Sequence, residues 1–376
     1  MRVLIFSTAY LPLVGGAEVA VKEITDRLPD IEFVMVTARM SRKHPVFEKI
    51  GNIAVHRIGT SVPIVNKFYL ALFGYRKGMK LHKEKKFDIV WSIMASYSGF
   101  AALTFKKKAG VKFLLTLQEG DPIEYILKKV RFVRKRFDSI FSFADGLQAI
   151  SEYLMQWGRD MGFGGSVAGV IPNGVDVEKF GVRSSEFRQE FANKFDISVD
   201  SKIIITISRL VKKNGVEDLI RAMKSLPSST RLLVLGTGEL EQELKQKARD
   251  LDLIDRVHFV GNVDHDKIPE YLWASDVFCR PSLSEGLGNV FLEAMAADVP
   301  IVGTPVGGIP DFLIDGETGL FCEVGNPKDI AEKIQKILDD GELADSLREN
   351  GRKLVEEKYT WDSVVQNMKT LMNEMI

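Results

Sequence analysis

Two glutamates flank a glycine-rich turn in the C-terminal half of the chain. Glu285 comes just before the turn, and Glu293 lies about one helical turn beyond it. The turn follows an apolar run at 276–280 and leads into a helical pattern, so its backbone N–H groups lie at the positive end of a helix dipole. Helical side chains lean towards the N-terminus, which lets both carboxylates face one ligand. This pattern favours a phosphate or sugar site, although acids at a helix start are also common on ordinary surfaces. The residues of the turn are Gly286, Leu287, Gly288, Asn289 and Val290.

Short apolar runs alternate with helical or loop segments along the chain. This alternation favours mostly parallel sheets with helices on both faces. The pattern starts again after a turn-rich stretch at 172–176, where we place a hinge. The runs predicted as strands are 3–7, 33–37, 88–92, 112–117 and 146–150 before the hinge, and 203–208, 231–235, 257–260, 276–280 and 300–302 after it.

The predicted fold class is therefore α/β, with two Rossmann-like doubly wound domains facing a central cleft. A chain of 376 residues also favours two cores over one. We expect an N-terminal domain at 1–172 and a C-terminal domain at 173–358. The last segment, about 359–376, has a helical pattern and is expected to pack back on the N-terminal domain. Ligands of doubly wound sheets bind at the carboxyl ends of the strands, so we expect a ligand between the two domains.

The net charge of zero conceals two halves of opposite sign. Residues 1–170 hold 26 Lys and Arg against 15 Asp and Glu, which leaves 25 basic and 36 acidic residues in the rest of the chain. A basic first half suits an anionic surface or substrate. No apolar stretch approaches the roughly 20 residues that span a bilayer. The short apolar start of the chain is better explained as a buried strand than as a signal peptide.

The sequence offers little for a metal ion. Cys279 and Cys322 are the two cysteines, and both lie in apolar runs, which predicts core residues in a reducing cytoplasm rather than a disulfide or zinc framework. Asp264-His265-Asp266 has the Asp-x-Asp spacing with which some enzymes hold a divalent cation. Because it precedes a helical segment, we interpret these acids as helix caps. No metal ion and no cofactor are expected.

The segment 284–296 closely resembles the E-x7-E motif of retaining GT-B glycosyltransferases, in particular the large bacterial group called family 4. The resemblance is dense from about 203 to 325 and thin from 30 to 110. It implies that Glu285 meets hydroxyls of the donor sugar and that Glu293 meets the ribose. It also implies that the leaving phosphate helps to deprotonate the acceptor during substitution on one face of the sugar, without a covalent enzyme nucleophile.

A second segment, 208–220, looks like the family's Arg-Leu-…-Lys-Gly segment. By this resemblance Arg209 and Lys213 hold the donor diphosphate, where two cations would stabilise the charge that grows on the leaving group. The lysine of the family often precedes the glycine directly, whereas Asn214 stands there in this chain. Lys212 is therefore the alternative to Lys213.

Further matches extend the predicted donor site. The first strand is followed by a loop similar to the family's Pro-x-x-Gly-Gly-x-Glu loop, and glycines allow the close backbone approach that this needs. Gln118 stands after a strand where many relatives have histidine, and an amide cannot carry a proton at neutral pH. It is kept as a donor contact. The base pocket of the family lies near the turn after the third strand of the second half. The donor contacts added by these matches are Gly15, Gly16, Gln118, Gly261, Asn262 and Val263.

The segment 128–137 interleaves six cations with apolar residues. A basic helix of this kind could lie on an anionic membrane. A packed helix with a solvated basic face explains the pattern equally well. Stacking on nucleic acid is the weakest of the three interpretations, and no nucleic-acid partner is expected.

We therefore predict a retaining, metal-independent glycosyltransferase that moves a sugar from a UDP-, GDP- or ADP-sugar to a hydroxyl of a glycan or lipid-linked acceptor. Donor binding is assigned to the C-terminal domain and acceptor binding to the N-terminal one. The alternatives are a GT-B-like nucleotide-sugar epimerase and a nucleotide-cofactor oxidoreductase. The second lacks a Gly-x-Gly-x-x-Gly after the first strand. We expect a cytoplasmic protein, with the inner face of the membrane as an alternative location.

Overall fold

The computed structural model describes residues 1–60, 62–181, 186–195 and 197–376. The described chain divides into two compact units, the first made of 1–174 with 361–376 and the second of 175–360. Each unit has its own sheet, of eight strands in the first and six in the second. The prediction of two α/β domains with parallel-sheet cores is confirmed.

The strands follow the predicted runs closely, with three additional strands in the first sheet and one in the second. Those of the first unit are β1 Arg2–Ser7, β2 Glu32–Ala38, β3 Phe47–Ile50, β4 Ile53–Ile58, β5 Ile89–Ile93, β6 Lys112–Leu117, β7 Gly146–Ala149 and β8 Val167–Val170. Those of the second unit are β9 Ile203–Ile207, β10 Arg231–Leu235, β11 Val257–Gly261, β12 Val277–Arg280, β13 Ile301–Gly303 and β14 Leu320–Phe321.

Helices connect most of these strands. Those of the first unit up to the hinge are α1 Gly16–Asp26, α2 Pro63–Glu84, α3 Tyr97–Ala109, α4 Ile123–Lys129, α5 Arg134–Ser142 and α6 Glu152–Asp160. Those of the second unit are α7 Val177–Gly181, α8 Glu186–Phe195, α9 Val216–Ala222, α10 Glu241–Asp250, α11 Ile268–Trp273, α12 Asn289–Ala296, α13 Pro327–Asp339 and α14 Gly341–Lys358. The last helix, α15 Trp361–Glu374, belongs to the first unit.

Both sheets are wound outwards from a central strand. The first has the order β3-β4-β2-β1-β5-β6-β7-β8, and all its pairs are parallel except β3 with β4. The second has the order β11-β10-β9-β12-β13-β14 and is parallel throughout. Because both faces of a parallel sheet are covered, its central strands are apolar on both sides, as the fully buried run Val3–Phe6 shows.

Two helix layers cover the sheet of the first unit. α2 and α3 pack on one face, and α5 packs against α3 in the same layer. α1 and α15 contact each other on the other face, where Val21 of α1 and Met368 of α15 share one buried cluster with Val3 and Ile5. The final helix is thus part of the core of the first unit.

Met368→Ala is expected to lower the free energy of unfolding by about 2–5 kcal/mol, because it leaves a cavity at a fully buried position. Urea unfolding measures the loss. Lys369→Ala is the matched control on the same helix, since the Lys369 side chain is partly exposed and pairs with Asp30 at the surface, and it should change stability by less than about 1 kcal/mol. A loss for Met368→Ala that is as small as the loss for Lys369→Ala would show that α15 does not contribute to the core.

Candidate active site

The predicted donor residues of the second unit lie in loops at the carboxyl edge of its sheet. The loop after β9 is joined to the loop after β12, because the backbone N–H of Leu283 donates to the carbonyl of Lys213 at 2.7 Å. Gly215 has a φ of +66°, and a Cβ added there would lie 1.9 Å from the carbonyl oxygen of Pro281. Only glycine allows this approach, so the two motifs found in the sequence come together through a glycine contact.

Arg209 is held through its backbone while its side chain is exposed. The carbonyl of Arg209 accepts a hydrogen bond from Nδ2 of the buried Asn214 at 2.6 Å. The next residue, Leu210, donates its N–H to the carbonyl of Thr237 in the loop after β10 at 2.9 Å. Asn214, which departs from the family pattern, thus fixes the loop that carries the arginine. Lys213 is half-buried and Lys212 is exposed.

Glu285 is held by an arginine that the sequence analysis did not assign. Arg280, the last residue of β12, is 5% exposed and forms an ion pair with Glu285 through Nη2. Its Nε donates to Oγ of the fully buried Ser282 at 3.2 Å, and its guanidinium lies 4.9 Å from the centre of the Phe291 ring. The signal in the sequence was a cation at the end of an otherwise apolar strand. An arginine there needs a carboxylate partner, because an unpaired buried charge is costly.

The glycine turn then enters α12 with its backbone tightly packed. Gly288 precedes the helix with a φ of +97°, and the N–H of Gly286 donates to Oε1 of Glu285 at 3.1 Å. From the loop after β13, Gly307 approaches so closely that an added Cβ would lie 1.7 Å from the carbonyl of Glu285. Gly286, Leu287 and Gly288 are buried, whereas Asn289 and Val290 in the first turn of the helix are half-buried.

Glu293 belongs to a chain of four charged or polar side chains. Its Oε1 lies 2.9 Å from Nε2 of His265, and Nδ1 of His265 lies 3.3 Å from Nζ of Lys179. Lys179 also pairs with Asp266 at 2.7 Å. Because a lysine ammonium can only donate, Nδ1 of neutral His265 accepts and Nε2 carries the proton that it donates to Glu293. This bond raises the pKa of His265, while burial and the Lys179 cation oppose the rise.

The interpretation of Asp264 and Asp266 as helix caps is corrected by these contacts. In the part of the chain that the structure describes, the side chain of Asp264 makes no capping bond to the short turn His265–Lys267, and Asp266 pairs with a lysine. No group of three or more potential metal ligands is present among the described residues. What the motif contributes is the histidine between the two acids.

The turn of the predicted base pocket follows β11 at the edge of the same sheet. Gly261 has a φ of +80°, and its carbonyl accepts the N–H of Gly236 at 2.7 Å. Asn262 is exposed and Val263 is half-buried. The short segment that follows carries His265, so this turn and Glu293 are linked through that histidine.

The first unit places its own predicted contacts at the carboxyl edge of its sheet. Gly15 precedes α1, and Gly16 is the first residue of that helix. A Cβ added to Gly15 would lie 2.6 Å from Oε2 of Glu18, so this carboxylate folds back over the glycine loop. Burial raises the pKa of Glu18. Gln118 follows β6 and is 8% exposed.

Glu119, beside Gln118, was not singled out in the sequence. Its Oε1 accepts the N–H of Ala95 after β5 at 2.7 Å, and Oε2 accepts the N–H of Gln118 at 2.9 Å. The carboxylate therefore joins two neighbouring strand ends. Burial raises the pKa of Glu119 to about 7, although the backbone N–H groups act in the opposite direction. The sequence carried no signal for this role of Glu119, because the role depends on the pairing of β5 with β6.

Glu119→Gln is expected to weaken the pH dependence of stability. A carboxyl whose pKa is raised in the folded state stabilises the protein below the unfolded pKa of about 4.5, and this contribution is lost as the pH rises through about 7, at about 1.4 kcal/mol per pH unit. Urea unfolding at pH 5 and pH 7.5 should show a smaller difference in Glu119→Gln than in the parent. The exposed Glu124 supplies the control Glu124→Gln, which should keep the parent's difference.

Comparison with known proteins identifies the class. Residues 14–179 match the model of Glycosyltransferase Family 4, and residues 187–354 match that of Glycosyl transferases group 1. The fold is that of sucrose-phosphate synthase from Thermosynechococcus elongatus, with a TM-score of 0.87, 21% identity and coverage of 99% of this chain and 98% of that one. The chain belongs to the GT-B glycosyltransferases of family 4 and is a glycosyltransferase.

Similarity to curated proteins extends over the whole chain. An uncharacterized glycosyltransferase of Methanocaldococcus jannaschii is 28% identical and is aligned over 100% of this chain and 99% of its own length. The N-acetyl-alpha-D-glucosaminyl L-malate synthase of Bacillus anthracis is 27% identical, with coverage of 100% and 98%. Membership of this family does not favour the epimerase and oxidoreductase alternatives.

Proposed function

We propose that this enzyme transfers a sugar, with retention at the anomeric carbon, from a nucleoside-diphosphate sugar to a hydroxyl of a glycan or lipid-linked acceptor. The observation that carries the proposal is the fixed carboxylate of Glu285, which lies in the turn before α12 and is paired with the buried Arg280. The backbone of the same loop is bonded to the loop that carries Arg209 and Lys213. A fixed carboxylate can accept hydroxyl hydrogen bonds of a sugar, and nearby cations can bind a diphosphate.

In the proposed reaction the bond from the anomeric carbon to the diphosphate oxygen breaks. The acceptor oxygen forms its bond on the same face of the sugar, and its proton passes to an oxygen of the departing diphosphate. Arg209 and Lys213 stabilise the charge that develops on this leaving group, and Glu285 orients the sugar. In this proposal side-chain cations provide the charge stabilisation, so turnover should persist in EDTA.

In the same proposal the first unit binds the acceptor. Its first 170 residues carry the excess of basic charge, which suits an acceptor with phosphate groups. Gly15, Gly16 and Gln118 lie at the carboxyl edge of its sheet, where ligands of such sheets bind, and in this proposal they contact the donor from the first unit. A lipid-linked acceptor would bring the enzyme to the inner face of a membrane. In the described residues no helix is long and apolar enough to cross a bilayer.

The donor site is tested by calorimetric titration of the whole protein with UDP, GDP, ADP, CMP and NAD, each in EDTA and then with magnesium. We expect micromolar binding of one nucleoside diphosphate in EDTA, and that base then selects the sugar donors for an acceptor screen. Binding of NAD alone, or binding that needs magnesium, contradicts the proposal. Incubation of the donor without acceptor separates transfer from epimerisation, because only an epimerase converts the donor itself.

His265→Ala is expected to weaken binding of that nucleoside diphosphate by about fivefold to tenfold, because it removes the donor that orients Glu293 towards the ribose. The 2′,3′-dideoxy form of the same nucleotide should bind the variant and the parent equally. His258→Ala is the control, since His258 lies in β11 of the same unit. A loss of the same size with the dideoxy nucleotide would mean that His265 acts on the fold rather than through the ribose.

A further inference from the structure

The first unit exposes an apolar face on α2, in the layer formed by α2, α3 and α5. Five large side chains of its first half are 42–67% exposed. At about 100° per residue they fall within an arc of about 140° on the helix. The opposite side of α2, including Leu70 and Gly78, packs on the sheet, where a Cβ on Gly78 would meet Leu4 and Phe6. The exposed residues are Ile64, Val65, Phe68, Tyr69 and Leu72.

Cations continue this face along the second half of α2. Arg76, Lys80 and Lys83 are exposed and follow at nearly the same angles around the helix. No acidic residue occurs from position 62 to position 83. A helix with an apolar stripe and lysine or arginine beside it is typical of a surface that binds at the interface of a bilayer.

The basic segment 128–137 lies on the same side of the sheet, but not as the single helix expected from the sequence. It is divided between the end of α4, a short turn at Arg131–Val133 and the start of α5. Phe132 lies in the turn between the two helices, and 85% of its surface is exposed to solvent, whereas Phe137 is fully buried. All six residues from 131 to 136 are exposed, and Glu124 is the one acid from 123 to 136.

Ring contacts connect the two regions across α3. Phe68 of α2 contacts Tyr97 in the first turn of α3, with ring centres 5.2 Å apart. One turn further, Phe100 lies 5.6 Å from the guanidinium of Arg136 in α5. Exposed apolar side chains and exposed cations therefore adjoin on one side of the unit. Apolar residues enter the headgroup region of a bilayer, while cations need anionic headgroups.

We propose that these two regions form one docking surface for an anionic lipid bilayer. The surface consists of the exposed face of α2 and the exposed residues of the basic segment, which are 128, 129 and 131–136. Anionic phospholipid is the occupant because it matches both the apolar and the basic parts. The proposal goes beyond sugar transfer, and its test needs neither donor nor acceptor.

The test is co-sedimentation of the whole protein with vesicles of equal parts phosphatidylglycerol and phosphatidylcholine, compared with phosphatidylcholine alone. We expect binding to the mixed vesicles, at least tenfold weaker binding to the neutral ones, and a steep loss of binding as the salt concentration rises. Each cation removed should weaken binding about fivefold. The double variant Lys128→Ala with Arg131→Ala should therefore bind the mixed vesicles about 25-fold more weakly than the parent.

The apolar part is tested with Ile64→Ser, Phe68→Ser and Leu72→Ser in one chain, which should bind at least tenfold more weakly to the mixed vesicles. The matched controls lie in the second unit: Ile254→Ser with Val324→Ser, and Lys224→Ala with Lys353→Ala. Both should bind like the parent. Thermal unfolding checks that every variant is folded, which we expect because the changed side chains are exposed.

Four results would overturn the proposal. One is equal binding of the parent to neutral and anionic vesicles, or binding to neither. Another is parent-like binding by the two sets of variants. The third is a parent dimer that the α2 variant converts to a monomer, since a second copy would then cover this face. Tighter binding of a single-stranded oligonucleotide than of the vesicles would likewise point to nucleic acid as the occupant.

Discussion

Glu285→Gln is expected to lower kcat by about 10²–10³-fold or more, because an amide in place of the carboxylate loses the charge at the position that the proposed function gives to the reacting sugar. Gln keeps an oxygen that can accept the hydrogen bond of Arg280, so most of the local geometry should survive. Turnover of the selected donor with its acceptor measures the loss. Near-parent turnover in this variant would exclude a role for Glu285 in sugar positioning.

The ion pair with Arg280 also decides which substitution is informative. Truncation of Glu285 to Ala would leave a guanidinium that is 5% exposed without its partner, which costs about 3–5 kcal/mol. A loss of activity in Glu285→Ala would then mix chemistry with unfolding. Urea unfolding should separate the variants, with Glu285→Ala much less stable than Glu285→Gln. Equal stability of the two would mean that Arg280 is stabilised by other groups.

Arg209→Ala is expected to lower kcat/KM by about 10²–10⁴-fold while the free energy of unfolding changes by less than about 0.5 kcal/mol. The reason for this contrast with Glu285 is structural. The fold uses the backbone of Arg209, through Asn214 and Val211, and leaves the guanidinium exposed.

The control for Arg209 is Arg249→Ala, an exposed arginine on α10 of the same unit, which should keep parent kinetics. Lys213→Ala and Lys212→Ala extend the series. If Lys213 contacts the diphosphate, its loss should lower kcat/KM at least tenfold, while Lys212→Ala should stay near the parent. Parent-like kinetics of Arg209→Ala would remove the leaving-group cation on which the proposed chemistry depends.

Much of the local structure of the candidate site could be predicted from the sequence because its signals are local. A strand, a glycine turn and a helix are consecutive in the chain at 276–296, so composition and periodicity alone place Glu285 and Glu293 at a helix start. Gly215, Gly288 and Gly307 have positive φ values, which other residues seldom adopt. A glycine at such a position is therefore a signal that the sequence itself provides. The same holds for the central strands, whose apolar runs reflect burial on both faces.

The partners of these residues could not be predicted, because they come from distant parts of the chain. His265 reaches Glu293 and Lys179 only after α7 and α12 have packed together, and nothing in Asp264-His265-Asp266 distinguishes that outcome from a helix cap. Glu119 bonds to Ala95 because β5 and β6 are neighbours in the sheet. Periodicity carries no information on such pairings.

The sequence by itself determined the class of the fold and the places of the candidate motifs in it, since both follow from side-chain size, backbone freedom and spacing along one segment. Only the tertiary structure decided that Arg280 holds Glu285, that the basic segment 128–137 is broken so that Phe132 is exposed, and that α2 turns five large apolar side chains outwards. These outcomes depend on which surfaces the sheet and the neighbouring helices leave uncovered. Burial is a property of the whole packed unit, and a linear pattern does not contain it.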